Sequence, residues 1–168
     1  MRPNLSGIPD YYQGYINQIE GDQIVEILES NFNELKIFLN SLPVEKHEYA
    51  YAEGKWTIKE IVNHLSDGER LFQYRAMRFA RNDKTELAGF DENKYTPETN
   101  ANARDFQDLM SELELVRKSA ISLYKSLSPE ILERTGTANK IEMSVLALGF
   151  IIAGHAKHHI NVIKDRYL

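Results

Sequence analysis

Apolar side chains recur at helical spacing in four long stretches of the chain, separated by turn-rich segments. The first covers about residues 22–41, with Ile24, Ile27, Leu28, Leu35, Phe38 and Leu39 on its apolar stripe. A short helix over about residues 10–19 precedes it and carries Tyr12, Tyr15, Ile16 and Ile19 on one side. Leu42-Pro43 ends this pattern, because the residue before proline is pushed out of the α region. The second long helix has a sharp start: Thr57-Ile-Lys-Glu60 is a capping box, in which hydroxyl and carboxylate each satisfy a backbone N–H of the first turn. Its stripe is Ile58, Ile61, Leu65, Leu71 and Phe72, and it ends near Arg81-Asn-Asp83. Residues 84–102 contain Gly89, Pro97 and several Asn and Thr residues, and read as a long loop of the kind that often carries function. A third helix covers about 103–126 and is stopped by Leu127-Ser-Pro129; Thr135-Gly-Thr137 marks a further turn. A fourth covers about 144–166. Residues 48–51, Glu-Tyr-Ala-Tyr, are the one plausible extended piece. Four amphipathic helices of similar length with few strand signals predict an all-α four-helix bundle with a short additional N-terminal helix.

Composition narrows the function classes. The 168 residues suffice for one domain, spanning 1–168, with a full core. A formal net charge of −5 argues against a domain that grips nucleic-acid phosphates. The longest apolar run, from Val145 to Ile152, is too short to span a bilayer, and the N-terminus lacks the apolar core of a signal peptide. A cytoplasmic protein with no nucleic-acid or membrane partner is therefore expected. The chain has no cysteine, which excludes disulfides, thiolate metal ligands and a cysteine nucleophile.

The candidate chemistry lies in the histidines. His155 and His159 are four residues apart, hence about 40° apart around a helix and about 6 Å along it, so they converge on one side. They share that side with Leu148, Ile152, Val162 and Ile163, the stripe that faces the core. His64 falls between Ile61 and Leu71 on the second long helix and also points inward. Three neutral imidazoles would leave a divalent ion its full charge and an open position for water, hydroxide or a substrate heteroatom, the arrangement of a catalytic site. A histidine on an apolar face is more often a hydrogen-bonded core residue, and histidine pairs at this spacing arise by chance. The inward placement of all three brings the metal reading level with that one. His158 is an alternative partner for His155, but its direction departs from the inward stripe. His47, isolated in a turn-rich stretch, reads as structural.

The segments Gly54-Lys-Trp-Thr-Ile-Lys-Glu60, Asn63-His-Leu-Ser-Asp-Gly-Glu69, Phe72-Gln-Tyr-Arg-Ala-Met-Arg-Phe79 and Ala153-Gly-His-Ala-Lys-His-His159 occur in an order and spacing that resembles the DinB/YfiT-like superfamily of metalloenzymes. The resemblance spans most of the chain, including the Asp165-Arg-Tyr-Leu ending. It implies an up-down-down-up bundle, commonly a homodimer. It also implies a divalent metal, zinc as the expected ion and nickel as the other candidate, held by His64, His155 and His159. Ala156 departs from the pattern, at a position where relatives often carry an acidic residue. Some members are thiol-dependent transferases or isomerases using bacillithiol, mycothiol or glutathione.

Around these ligands, Arg75 lies only 20° round the helix from His64 and is a candidate substrate-binding residue, with a guanidinium fork suited to a carboxylate. A solvated face is the commoner explanation for the series Arg75, Arg78 and Arg81. Tyr74, Tyr12 and Tyr15 are candidate phenols for a pocket, Tyr74 being grouped with Arg75 as substrate-binding, and Asp67 is a candidate to orient an imidazole. Trp56 reads as core that seals the start of its helix. The function expected is a metal-dependent enzyme, either a thiol-dependent transferase or a hydrolase, in which the ion activates a thiolate or water for a small-molecule substrate. The alternative is a bundle that binds a small ligand or a partner without chemistry. A di-iron carboxylate centre is set aside, because the Glu-x-x-His pairs it needs do not occur.

Overall fold

Three of the four long helices start where a side chain holds a free N–H group, Thr57, Asp105 and Ser144 being the caps, while the one that begins at Ile24 has no side-chain cap. In a computed structural model describing residues 1–168, α1 (Asp10–Asn17) and α2 (Ile24–Asn40) precede α3 (Ile58–Ala80). The capping box of α3 is formed, with Glu60 N–H donating to Thr57 Oγ1 at 3.2 Å and Thr57 N–H to Glu60 Oε2 at 2.7 Å. A short helix, α4 (Glu92–Tyr95), interrupts the following segment, and α5 (Phe106–Lys125) begins after it. The start of α5 lies three residues later than the periodicity places it, because Asp105 accepts the Gln107 N–H at 2.7 Å while residues 101–103 close a 3-10 turn. The one-turn α6 (Pro129–Leu132) leads into β1 (Thr135–Ala138) and β2 (Ile141–Ser144). Ser144 then caps α7 (Val145–Arg166), accepting the Ala147 N–H at 3.0 Å.

The strands correct the reading of residues 135–137 as a mere turn. β1 and β2 pair antiparallel, Thr135 opposite Ser144 and Ala138 opposite Ile141. Asn139 and Lys140 both take positive φ, 51° and 63°, the backbone of a two-residue hairpin loop that fits strand twist. Residues 48–51, by contrast, form no strand. Tyr49 N–H closes a turn onto Lys46, and Lys59 N–H takes the carbonyl of His47, so no ladder is available there. The long loop is also partly ordered by the hairpin: Leu87 donates to Thr137 O and its own carbonyl accepts from Asn139, both at 2.9 Å.

The helices form a four-helix bundle of up-down-down-up topology. α2 runs parallel to α7, with Ile24 against Gly149 and Glu34 bonded to Lys157. α3 runs antiparallel to α7, since Trp56, just before α3, accepts from the hydroxyl of Tyr167 at the far end of α7. α3 and α5 are parallel neighbours, joined by Arg70–Glu112 and Gln73–Ser119, whereas α2 and α5 are antiparallel, joined by Lys36–Glu114 and Lys125–Glu29. Parallel neighbours require the chain to return along the length of a helix before it can start the next. The 23 residues of α3 make that return about 34 Å. Residues 81–105 are that return path, which is why the loop is long.

The core is not continuous. One apolar cluster surrounds Leu28, Phe72, Tyr124 and the N-terminal half of α7; a second surrounds Leu35, Ile61, Leu113 and Ile160. Between them lies a polar layer that nothing in the apolar pattern announces. Arg117, 1% exposed, donates through Nε to Glu69 at 2.5 Å and through Nη1 to Leu28 O and Asn31 Oδ1, both at 3.1 Å. The three inward histidines lie beside this layer.

Candidate metal centre

α3 and α7 bring His64, His155 and His159 together. All three are buried, and their ring nitrogens lie within 4.8 Å of one another. His155 Nε2 is 2.9 Å from His64 Nε2 and 3.2 Å from His159 Nε2. Two nitrogens bound tetrahedrally to one ion at the usual zinc–imidazole length would be about 3.3 Å apart. Each imidazole has one in-plane lone pair on its unprotonated nitrogen. A single lone pair on His155 cannot serve two N–H donors well, whereas one cation satisfies all three nitrogens at once. The donor set therefore fits a divalent metal ion of the kind that takes neutral imidazole nitrogen readily. Burial works in the same direction. It pushes the His64 pKa down to about 4, with the charge of His158 adding to the effect. His155 and His159 are also held well below the ordinary value, by burial first and by neighbouring histidines second. At neutral pH all three are uncharged, the form a metal requires.

Glycines make room for this arrangement. A Cβ on Gly68 would stand 3.1 Å from His155 Cε1, so the bare backbone of α3 is what admits the His155 ring. A Cβ on Gly154 would lie 2.2 Å from the Tyr15 carbonyl oxygen, so the missing side chain is what lets α1 approach α7 closely there. That approach brings Tyr15 within 5.5 Å of His155, ring centre to ring centre. Trp56 lies 4.7 Å from His64 and 6.5 Å from His159, measured the same way, so it packs on two of the histidines rather than only closing the start of its helix. His158 packs at a tilt against Tyr15 and stays outside the cluster.

Two cavities reach the centre. One, of about 240 Å³, is lined by His64 and His155 together with Tyr11, Tyr12, Tyr15, Phe72, Arg75 and Glu92. The other, of about 220 Å³, reaches His159 between Trp56, Tyr51 and Tyr167. The short α4 supplies Glu92 to the first and Asn93 to the second, so it stands at the partition between them.

Of the polar residues singled out in the sequence, Arg75 lies in the first cavity and is 3% exposed. Tyr74 does not. It sits about 80° away from the His64 direction on α3, is 47% exposed, and its hydroxyl accepts from Arg78. Asp67 touches no imidazole: its carboxylate accepts from Asn63 at 2.9 Å and Arg70 at 3.3 Å. The phenols at the cavity are those of α1, where Tyr15 donates to Tyr11. Burial raises the pKa of both, so both stay protonated at neutral pH. Glu92 and Tyr11 escaped the sequence reading because a loop carboxylate and an exposed-face tyrosine carry no periodic mark.

Comparison with known proteins agrees with this architecture. A family model described as the DinB superfamily matches residues 27–163. The protein named "Putative metal-dependent hydrolase OB0413" of Oceanobacillus iheyensis is 30% identical over 142 residues, covering 82% of this chain and 79% of the relative. A second protein of that organism, "Putative metal-dependent hydrolase OB0782", is 25% identical over 152 residues, covering 89% of this chain and 87% of the relative. Among solved structures, YfiT from Bacillus subtilis is described as a probable metal-dependent hydrolase with an unusual four-helix bundle topology. It superposes with a TM-score of 0.74 at 19% identity, covering 84% of this chain and 82% of that one.

Proposed function

This chain belongs to the DinB superfamily, and from that premise we propose that it is a divalent-metal-dependent hydrolase acting on a small molecule. The observation that carries the proposal is the convergence of the His64, His155 and His159 Nε2 atoms at 2.9 and 3.2 Å, with His64 and His155 on the wall of one cavity and His159 on the wall of another. When bound there, a divalent ion would supply Lewis acidity, lowering the pKa of whatever nucleophile enters its open position. The chain's own residues do the rest. Trp56, Phe72 and Tyr15 wall the histidines on their apolar sides and limit access of bulk water. Tyr11 and Tyr15, neutral phenols, offer hydrogen bonds to a polar group of the substrate. Glu92 is the one carboxylate lining this cavity, and is the residue placed to accept a proton.

A second reading, thiol-dependent transfer, draws on the same site. No carboxylate belongs to the histidine cluster itself, an arrangement that suits a nucleophile able to ionise with metal assistance alone, as a thiol does. With no cysteine in the chain, that thiol arrives as a low-molecular-weight cosubstrate.

Elemental analysis of the purified protein beside a His64→Ala/His155→Ala variant tests the metal: about one equivalent against none is expected, and equal content refutes the site. Metal-loaded protein is then offered ester, amide and lactone panels, with and without added thiol. Chelator-sensitive turnover without thiol supports hydrolysis; turnover that appears only with thiol replaces it with transfer.

A further inference from the structure

Arg75 has no counter-ion. The residue is only 3% exposed, and its one hydrogen bond runs from Nη2 to the carbonyl of Ala88 at 3.0 Å. A buried guanidinium carries five N–H donors and cannot shed its charge. Leaving such a cation unpaired costs several kcal/mol, so natural cores pair it. The buried side-chain polar atoms without any partner are only His47 Nε2 and His159 Nδ1. The remaining nitrogens of Arg75 are therefore not sealed in the protein but open on the cavity that also exposes His64 and His155. They form an anion anchor in the wall of the reaction site.

We propose that Arg75 binds the carboxylate of a monoanionic substrate whose reacting group lies at its other end. The proposal rests on the metal-site reading and narrows its substrate class. Three observations select a single negative charge on an apolar body. Arg75 is the one cationic side chain lining the cavity and Glu92 lines it too, so the end of the cavity away from the histidines offers a single positive charge, which one carboxylate matches. Tyr11, Tyr12, Phe72 and Phe90 provide aromatic walls for the body of the ligand. The anchor is also set back from the histidine cluster. His155 packs at the level of Gly68, and seven residues, roughly 10 Å of helix axis, separate Gly68 from Arg75. The Arg side chain leans back toward the N-terminal end and shortens that gap, but the carboxylate still stands several bonds from the reacting atom. It is a handle for binding, not a ligand to the ion.

Calorimetric titration of the zinc-loaded protein tests this with formate, acetate, phenylacetate and 4-phenylbutyrate, the matching carboxamides, and inorganic phosphate. The arylalkyl carboxylates are expected to bind most tightly and their carboxamides at least tenfold more weakly. Arg75→Gln is expected to lose at least tenfold in carboxylate affinity with zinc content unchanged, and Arg75→Lys to recover part of the loss. Carboxamides binding as well as carboxylates, phosphate binding more tightly than any of them, or no carboxylate binding to the wild type would each overturn the proposal. So would binding that survives Arg75→Gln but disappears in His155→Ala, since the carboxylate would then sit on the ion. If His64→Ala/His155→Ala takes up as much zinc as the wild type while the Arg75 effects hold, the metal reading fails and the anion anchor stands.

Discussion

The close approach of α1 to α7 at Gly154 sets the sign of one substitution. At Gly154 a Cβ would lie 2.2 Å from the carbonyl oxygen, 2.5 Å from the carbonyl carbon and 2.9 Å from the Cα of Tyr15. These are backbone atoms of α1, so no rotamer change relieves the clash, and the two helices must part by roughly 1 Å to restore ordinary contact. Overpacking of this kind costs about 1–3 kcal/mol. Replacing glycine by alanine in a helix also contributes about 1 kcal/mol of favourable propensity, so Gly154→Ala is expected to destabilise by up to about 2 kcal/mol net. Gly14, in α1 itself, is exposed, and a Cβ there would meet nothing within 4 Å. For Gly14→Ala only the propensity gain operates, and stability should rise by about 1 kcal/mol.

For a domain of this length, 1 kcal/mol moves Tm by about 2–4 °C. Thermal unfolding should thus place Gly154→Ala up to about 8 °C below the wild type and Gly14→Ala about 2–4 °C above it. Native-state hydrogen exchange gives the mechanism: amides of α1 should lose protection in Gly154→Ala while those of α5 keep theirs, because only the docking of α1 is strained. If both substitutions move Tm in the same direction, or if α5 loosens with α1, close approach at Gly154 is not what positions α1.

Three other perturbations follow from the geometry. Gly68→Ala pushes a methyl to 3.1 Å from His155 Cε1, so zinc affinity measured against a chromophoric chelator should fall about tenfold; unchanged affinity would mean that the ring position is not constrained by α3. Arg117→Met leaves Glu69 buried without its partner and should cost about 3–5 kcal/mol in urea denaturation. Glu69→Leu/Arg117→Met should recover most of that loss, and a double variant as unstable as the single one would refute the pairing. Thr57→Ala removes the acceptor of the Glu60 N–H and should cost about 1 kcal/mol by the same measurement.

The regular part of the molecule is legible in the sequence because its signals are local. Periodic apolar residues and the Thr57–Glu60 box place α3 to within a residue, and the same periodicity that places Ile152 and Ile163 inward carries His155 and His159 with them. The hairpin is hidden because its turn is Asn139-Lys140 rather than a glycine-containing pair, so of the two positive φ values that close it only the one at Asn139 falls on a residue type that favours it. Arg117 and Glu69 are hidden for a different reason. A charged residue on an amphipathic helix reads the same whether it faces solvent or a partner on the neighbouring helix, and only the packing of α3 against α5 decides. Tyr74 shows the limit of residue type as a guide: one position from Arg75, it is turned out to solvent by the 100° step of the helix.

The division between legible and hidden parts is also a division of labour. The three histidines stand on α3 and α7, where backbone hydrogen bonding fixes their spacing to the tolerance that metal geometry demands. The walls of the cavity come from elsewhere: Tyr11 and Tyr15 from α1, Phe90 and Glu92 from the return path, Asn139 and Ile141 from the hairpin. This follows from topology. Parallel packing of α3 and α5 obliges residues 81–105 to travel back along the bundle, and the route carries them across the open side of the histidine cluster. The connection that the fold requires thereby supplies part of the cavity wall beside the histidines. Changes in that segment can alter the cavity walls while the helices that carry the three histidines keep their register.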